Sequence, residues 1–91
     1  MPRIARHLLI SGRVQGVFFR AWTKEQAEQL GVAGWARNRA DGSVEVHLEG
    51  SDGAVEEMVR RLRTGPPHAR VDDLKIDEIE PDGFDGFTVR H

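Results

Sequence analysis

The chain opens on a short apolar run, Arg6-His7-Leu8-Leu9-Ile10-Ser11, with Gly12 directly behind it. A run of that length bounded by a glycine predicts a buried central strand. A glycine-containing loop then carries the chain to Phe19. From about Arg20 to Leu30 the pattern turns helical: Ala21, Ala27 and Leu30 stand among Glu, Gln and Lys, and Gly31 is placed to stop the helix. Val32–Asn38 reads as a second strand. Asp41-Gly42 is the strongest hairpin signal in the chain. Behind it, residues 43–49 alternate, with Val44, Val46 and Leu48 on one face.

The second helix has the clearest pattern. Val55, Met58, Val59 and Leu62 fall at i, i+3, i+4 and i+7, an apolar stripe that must lie on something. Ser51 or Asp52 caps it. Glu56 and Glu57 open it and Arg60, Arg61 and Arg63 close it, matching the helix dipole. Glu56–Arg60 and Glu57–Arg61 have the spacing of i, i+4 ion pairs. Gly65-Pro66-Pro67 ends it. Two strands follow, near Ala69–Glu80 and Gly86–Arg90, joined through Pro81-Asp82-Gly83. The order βαββαββ predicts an α/β (α+β) ferredoxin-like sandwich: one sheet with two helices packed on one face. The pattern leaves the order of the last two strands open.

Ninety-one residues allow one domain, expected over 1–91. With no cysteine, disulfides, thiolate catalysis and Cys-ligated zinc are excluded, and a reducing compartment suits such a chain. Met1-Pro2-Arg3-Ile4-Ala5-Arg6-His7 has no signal-peptide core, and no apolar run approaches the roughly 18 residues of a membrane span. The expectation is a cytoplasmic protein with no membrane partner. A net charge of −2 lacks the basic excess of a nucleic-acid binder. That charge is divided unevenly. Residues 1–40 hold seven Lys/Arg against two Asp/Glu, and residues 41–91 hold six against thirteen. Either the basic half attracts a small anion, or the two halves interleave in space and cancel.

The segment Gly12-Arg13-Val14-Gln15-Gly16-Val17-Phe18-Phe19-Arg20 lies between the first strand and the first helix. That position offers consecutive backbone N–H groups and a helix N-terminus to an anion. Gly12 and Gly16 let the chain turn and approach a ligand. Arg20 adds a permanent charge with a planar fork of donors suited to phosphate. Without Gly-Lys-Ser/Thr the segment is no Walker A loop, and Mg-nucleotide binding is not expected.

This segment resembles the signature Gly-x-Val-Gln-Gly-Val-x-Phe-Arg of the acylphosphatase family. The resemblance continues through Gly34-Trp35-Ala36-Arg37-Asn38, Asp41-Gly42-Ser43-Val44-Glu45, Gly65-Pro66-Pro67-x-Ala69-x-Val71 and Gly86-Phe87-x-Val89-Arg90, covering essentially the whole chain. It implies hydrolysis of acyl phosphates to a carboxylate and inorganic phosphate, without metal or cofactor. It also implies residue roles. Arg20 binds the phosphoryl group, assisted by the loop Val14, Gln15, Gly16, Val17, Phe18 and Phe19, and Asn38 holds the attacking water. The physical account is consistent: a good leaving group requires only charge neutralisation and an in-line water. A monomer is expected.

Phe18 stands where the family often has glycine or another residue, and is expected to narrow the mouth of the loop. Arg39 replaces a small polar residue that in some members steadies the asparagine. His7, His47, His68 and His91 lack metal-ligand spacing and read as surface or strand residues. Asp72-Asp73 and Asp77-Glu78 read as a solvated strand face, and Trp22 and Trp35 as core or helix–sheet packing. Thr23 is placed to support the loop through its hydroxyl, or is an ordinary helix residue. The alternative function is a non-catalytic small-anion-binding regulatory module, which has no need of Asn38. An RNA-binding sandwich would present aromatics on a central strand, where this chain has Leu8, Leu9 and Ile10.

Overall fold

The computed structural model describes residues 3–91; Met1 and Pro2 of the N-terminal stretch lie outside the described residues. The elements follow the expected order: β1 (Arg3–Arg13), α1 (Phe19–Leu30), β2 (Ala33–Asn38), β3 (Val44–Ser51), α2 (Asp52–Thr64), β4 (Arg70–Ile79) and β5 (Phe87–Arg90). They form one five-stranded sheet in the order β4-β1-β3-β2-β5. β1 pairs antiparallel with both β3 and β4, and β2 pairs antiparallel with β3. β5 closes the other edge by running parallel to β2, with Gly34 opposite Phe87 and Ala36 opposite Val89.

The alternating strands build the core. Leu8 and Ile10 of β1 pair across from Val46 and Val44 of β3, and all four are fully buried. Val55, Met58 and Leu62 of α2 and Phe19 and Ala27 of α1 pack on them. Each such aliphatic side chain contributes roughly 1.5–3 kcal/mol when taken from water. The helix ends follow their caps. Ser51 is the N-cap of α2, its hydroxyl accepting from the Ala54 N–H at 3.4 Å, and Asp52 is the first helical residue. Gly31 ends α1 in the left-handed region, and the Val32 N–H reaches back to the Ala27 carbonyl at 2.8 Å. Of the two expected ion pairs on α2, Glu57–Arg61 forms at 3.0 Å. Arg60 turns to Glu57 as well rather than to Glu56.

Two sequence expectations are corrected. Gly12 does not begin the loop: β1 runs on to Arg13, and its register against β4 shifts between Ser11 and Gly12. At this bulge Gly12 has φ +126°, and a Cβ there would sit 2.2 Å from the Arg70 carbonyl oxygen. Glycine is therefore required by the close approach of β4.

The second correction concerns the sheet face away from the helices, which is not simply washed by solvent. Glu45, His47 and Glu49 of β3 are all buried there. His47 is thus no surface residue. Trp35 is not helix–sheet packing either: it stacks on His47 across the open face, rings 6.0 Å apart, with the guanidinium of Arg90 over it. The chain after β4 crosses this face and donates backbone N–H groups of Asp82, Gly83 and Phe84 to the Glu49 carboxylate. Arg3 and His47 complete that carboxylate's partners. His47, Glu49 and Asp82 lie close enough to suggest a cation site. Both oxygens of Glu49 are already occupied by N–H donors, so the cluster fastens the linker to the sheet.

The two charge halves interleave. Arg3 pairs with Glu49, Arg6 with Glu78, and Arg37 with Glu45. Asp72, Asp73, Asp77 and Glu78 stand exposed on edge strand β4, as expected of a solvated face. No helix among the described residues is long and apolar enough to cross a membrane.

Candidate active site

The loop between β1 and α1 is short, 14–18, and is pinned at both ends by the core. Val14 is fully buried and Phe19, the first helical residue, nearly so. Phe19 packs against the half-buried Trp22 with ring centroids 5.9 Å apart. Between these anchors Gly16 takes φ +73° and Phe18 takes φ +60°, ψ +26°. Phe18 is the one non-glycine residue with positive φ among those described. Such a conformation costs a residue that carries a Cβ roughly 1–2 kcal/mol, and it is retained here at the helix N-cap.

The start of α1 is prepared for an anion. The first helical hydrogen bond runs from the Trp22 N–H to the Phe18 carbonyl at 2.9 Å. The N–H groups before it have no acceptor within the helix. Phe18 supplies no side-chain cap, and no acidic side chain lies in the first turn. The positive end of the helix dipole therefore faces the loop uncompensated. Thr23, fully buried, donates its hydroxyl to the Phe19 carbonyl at 2.8 Å and so braces the first turn behind the loop.

Arg20 projects from that turn. Its Nη1 donates to the Arg90 carbonyl at 2.7 Å and lies 3.2 Å from Nδ1 of His91. Among the described residues it makes no ion pair with a carboxylate, in contrast to Arg3, Arg6 and Arg37. Its charge is held in place by a neutral oxygen and remains available to a ligand. Asn38 ends β2 on the same sheet face as buried Ala36, exposed, at the edge of the hairpin.

Gln15 ties the loop to that hairpin. Its side-chain amide donates to the carbonyls of Arg39 at 2.8 Å and Ser43 at 2.9 Å. The hairpin is also closed by Arg39 N–H to the Ser43 carbonyl, and by Asp41, whose carboxylate accepts from the Ser43 N–H and hydroxyl. The Ser43 hydroxyl, followed by its N–H, holds the Asp41 carboxyl below the ordinary range. Arg39 sends its guanidinium toward Asp41 and Glu45. The Gln15 carboxamide thus holds both ends of the turn that follows Asn38.

A cavity of about 340 Å³ opens where these elements meet. Of the expected site residues, Val14, Gly16, Phe18, Phe19, Arg20 and Asn38 line it, while Gln15 and Val17 do not. Gln15 acts as the strut just described, and Val17 packs toward the core. Ala21, Val89 and His91 line the cavity as well. Sequence reasoning missed Val89 and His91 because they arrive on β5 and directly after it, and the parallel pairing of β5 with β2 has no local signal. A cavity of this size is at the lower end of the range for small-molecule sites, about 300–1,000 Å³.

Comparison with known proteins agrees with the geometry. The acylphosphatase family model matches residues 6–89. The acylphosphatase of Rhizorhabdus wittichii is 52% identical over 88 residues, covering 97% of this chain and 89% of that protein. That of Rubrobacter xylanophilus is 58% identical over 83 residues, covering 89% and 74%. The crystal structure of acylphosphatase from Bacillus subtilis superposes with a TM-score of 0.94 at 32% identity, covering 97% of this chain and 99% of that one. The family model across the chain, relatives about half identical over most of their length, and the same sandwich in a solved acylphosphatase lead to one conclusion: the chain belongs to the acylphosphatase family and hydrolyses acyl phosphates to a carboxylate and inorganic phosphate.

Proposed function

We propose that Arg20 and the N–H groups of residues 14–20 hold the phosphoryl group, and that Asn38 positions the water that attacks it. The observation that carries this reading is the convergence of Arg20 from α1 and Asn38 from β2 on one cavity. The remaining guanidinium donors of Arg20 and the free N–H groups at the helix start neutralise the equatorial oxygens as charge develops. The Asn38 carboxamide oxygen accepts one hydrogen of water and orients its lone pair in line with the scissile bond. The water oxygen bonds to phosphorus while the phosphorus–oxygen bond to the acyl group breaks. The electron pair leaves with the carboxylate, and the water's proton passes to a phosphoryl oxygen. No metal or cofactor enters these steps.

Gln15 has a positioning role in this scheme. Gln15→Ala releases the loop from the hairpin and is expected to lower kcat by about 10- to 100-fold through misplacement of the water. KM should change much less, because Arg20 and the helix start are untouched. Steady-state kinetics with thermal unfolding on the same samples check this; an equal loss in kcat and in stability would make Gln15 merely structural.

We further propose that residues 1–91 act as one catalytic unit, as a monomer, in the cytoplasm. The exposed acids along β4 support the monomer, since charged edges oppose strand pairing between copies. A fold with no disulfide suits the reducing compartment.

A further inference from the structure

We infer that Phe18 determines the acyl specificity of the site: its ring is an apolar platform that favours acyl phosphates with aromatic or bulky apolar acyl groups. This rests on the reading of the 14–20 loop as the phosphoryl site. Phe18 is 86% exposed, whereas the other exposed large hydrophobics, Ile76 and Ile79, reach only 37%. Its neighbours Val17 and Phe19 both pack inward, so the ring is held out of the core rather than failing to fit it.

The backbone explains how. At φ +60° the position suits glycine or asparagine, yet it carries a large, exposed aromatic side chain that lines the cavity. A ring kept in water and on a disfavoured backbone contributes nothing to folding. It lines the cavity together with Arg20, and on the phosphoryl-site reading the acyl group of a bound substrate emerges past its ring. Val14, Phe19 and Val89 give the adjoining cavity wall the same apolar character. An acyl ring laid against Phe18 removes both faces from water, and aromatic pairs prefer such offset or edge-on contact. An acetyl group has too little surface to gain from it.

The test compares kcat/KM for benzoyl phosphate and acetyl phosphate in the wild type, Phe18→Gly, Phe18→Tyr and Arg20→Ala. The benzoyl-to-acetyl ratio is expected to fall about tenfold in Phe18→Gly, a change of about 1.4 kcal/mol. It should stay within about twofold of wild type in Phe18→Tyr, which keeps the ring. Glycine relieves the backbone at this position, so the variant folds, and thermal unfolding verifies that. An unchanged ratio in Phe18→Gly, with Arg20→Ala inactive, overturns the platform alone. Arg20→Ala that still hydrolyses both substrates overturns the phosphoryl-site reading and the platform with it.

Discussion

Replacing Glu49 with alanine is expected to lower the thermal midpoint by well over 10 °C. The carboxylate is fully buried, yet it accepts from His47 at 2.9 Å, from Arg3 at 3.0 Å, and from the N–H groups of Asp82, Gly83 and Phe84. Alanine leaves three backbone donors and a guanidinium without their acceptor. Each unsatisfied donor costs roughly 1–3 kcal/mol, so a total of about 3–5 kcal/mol is a moderate expectation. At roughly 4–8 °C per kcal/mol for a domain of this size, the fold approaches its margin.

The same carboxylate gives a pH signature. Burial pushes its pKa up, but the hydrogen bonds from His47, the Asp82 N–H, Arg3 and the Gly83 N–H outweigh burial and bring it to about 2 from 4.5. Because the folded value is depressed, its stabilisation is fully present above about pH 4.5 and is lost as pH falls toward 2. The difference corresponds to a few kcal/mol at most, roughly 1.4 per unit. Urea unfolding of wild type and Glu49→Gln at pH 7 and pH 3 measures it. The gap between the two proteins should shrink on acidification; a gap that stays constant would show that the charge of Glu49 contributes nothing.

Arg20→Ala is expected to reduce kcat/KM by about 10³-fold or more, the effect of removing a preorganised charged donor from a developing phosphoryl charge. Competitive inhibition by inorganic phosphate should weaken in parallel, because in the proposed mechanism the product meets the same guanidinium. Arg20→Lys keeps the charge but not the fork, and should recover only part of the loss. Stability should hardly move in either variant, since the side chain's hydrogen bonds go only to the Arg90 carbonyl and the His91 ring. A retained phosphate inhibition constant in Arg20→Ala would remove this residue from the site.

Much of this was legible in residue patterns. The stripe Val55, Met58, Val59, Leu62 located α2, and three of the four are fully buried with Val59 half-buried. Asp41-Gly42 marked the hairpin turn that follows Asn38, and the Gly12–Arg20 segment marked the loop. These are local signals, set by helix periodicity, turn chemistry and capping. What escaped depends on partners distant along the chain. Glu45, His47 and Glu49 alternate with valines and leucine as solvent-facing residues do, but a linker more than thirty residues later covers Glu49. Gly12 looked like a loop glycine until β4 approached it. His91, given no role, reaches Arg20 because β5 joins the sheet beside β2.

The water-positioning role of Asn38 is the centre of the account, and hydrolysis of benzoyl phosphate by Asn38→Ala in the presence of EDTA tests it most directly. The expected result is a fall in kcat of about 10²–10³-fold with the fold and the phosphate inhibition constant retained. The wild type should turn over at an undiminished rate under the same conditions. Unchanged turnover in Asn38→Ala would contradict the mechanism, leaving an acylphosphatase whose water is placed by another group.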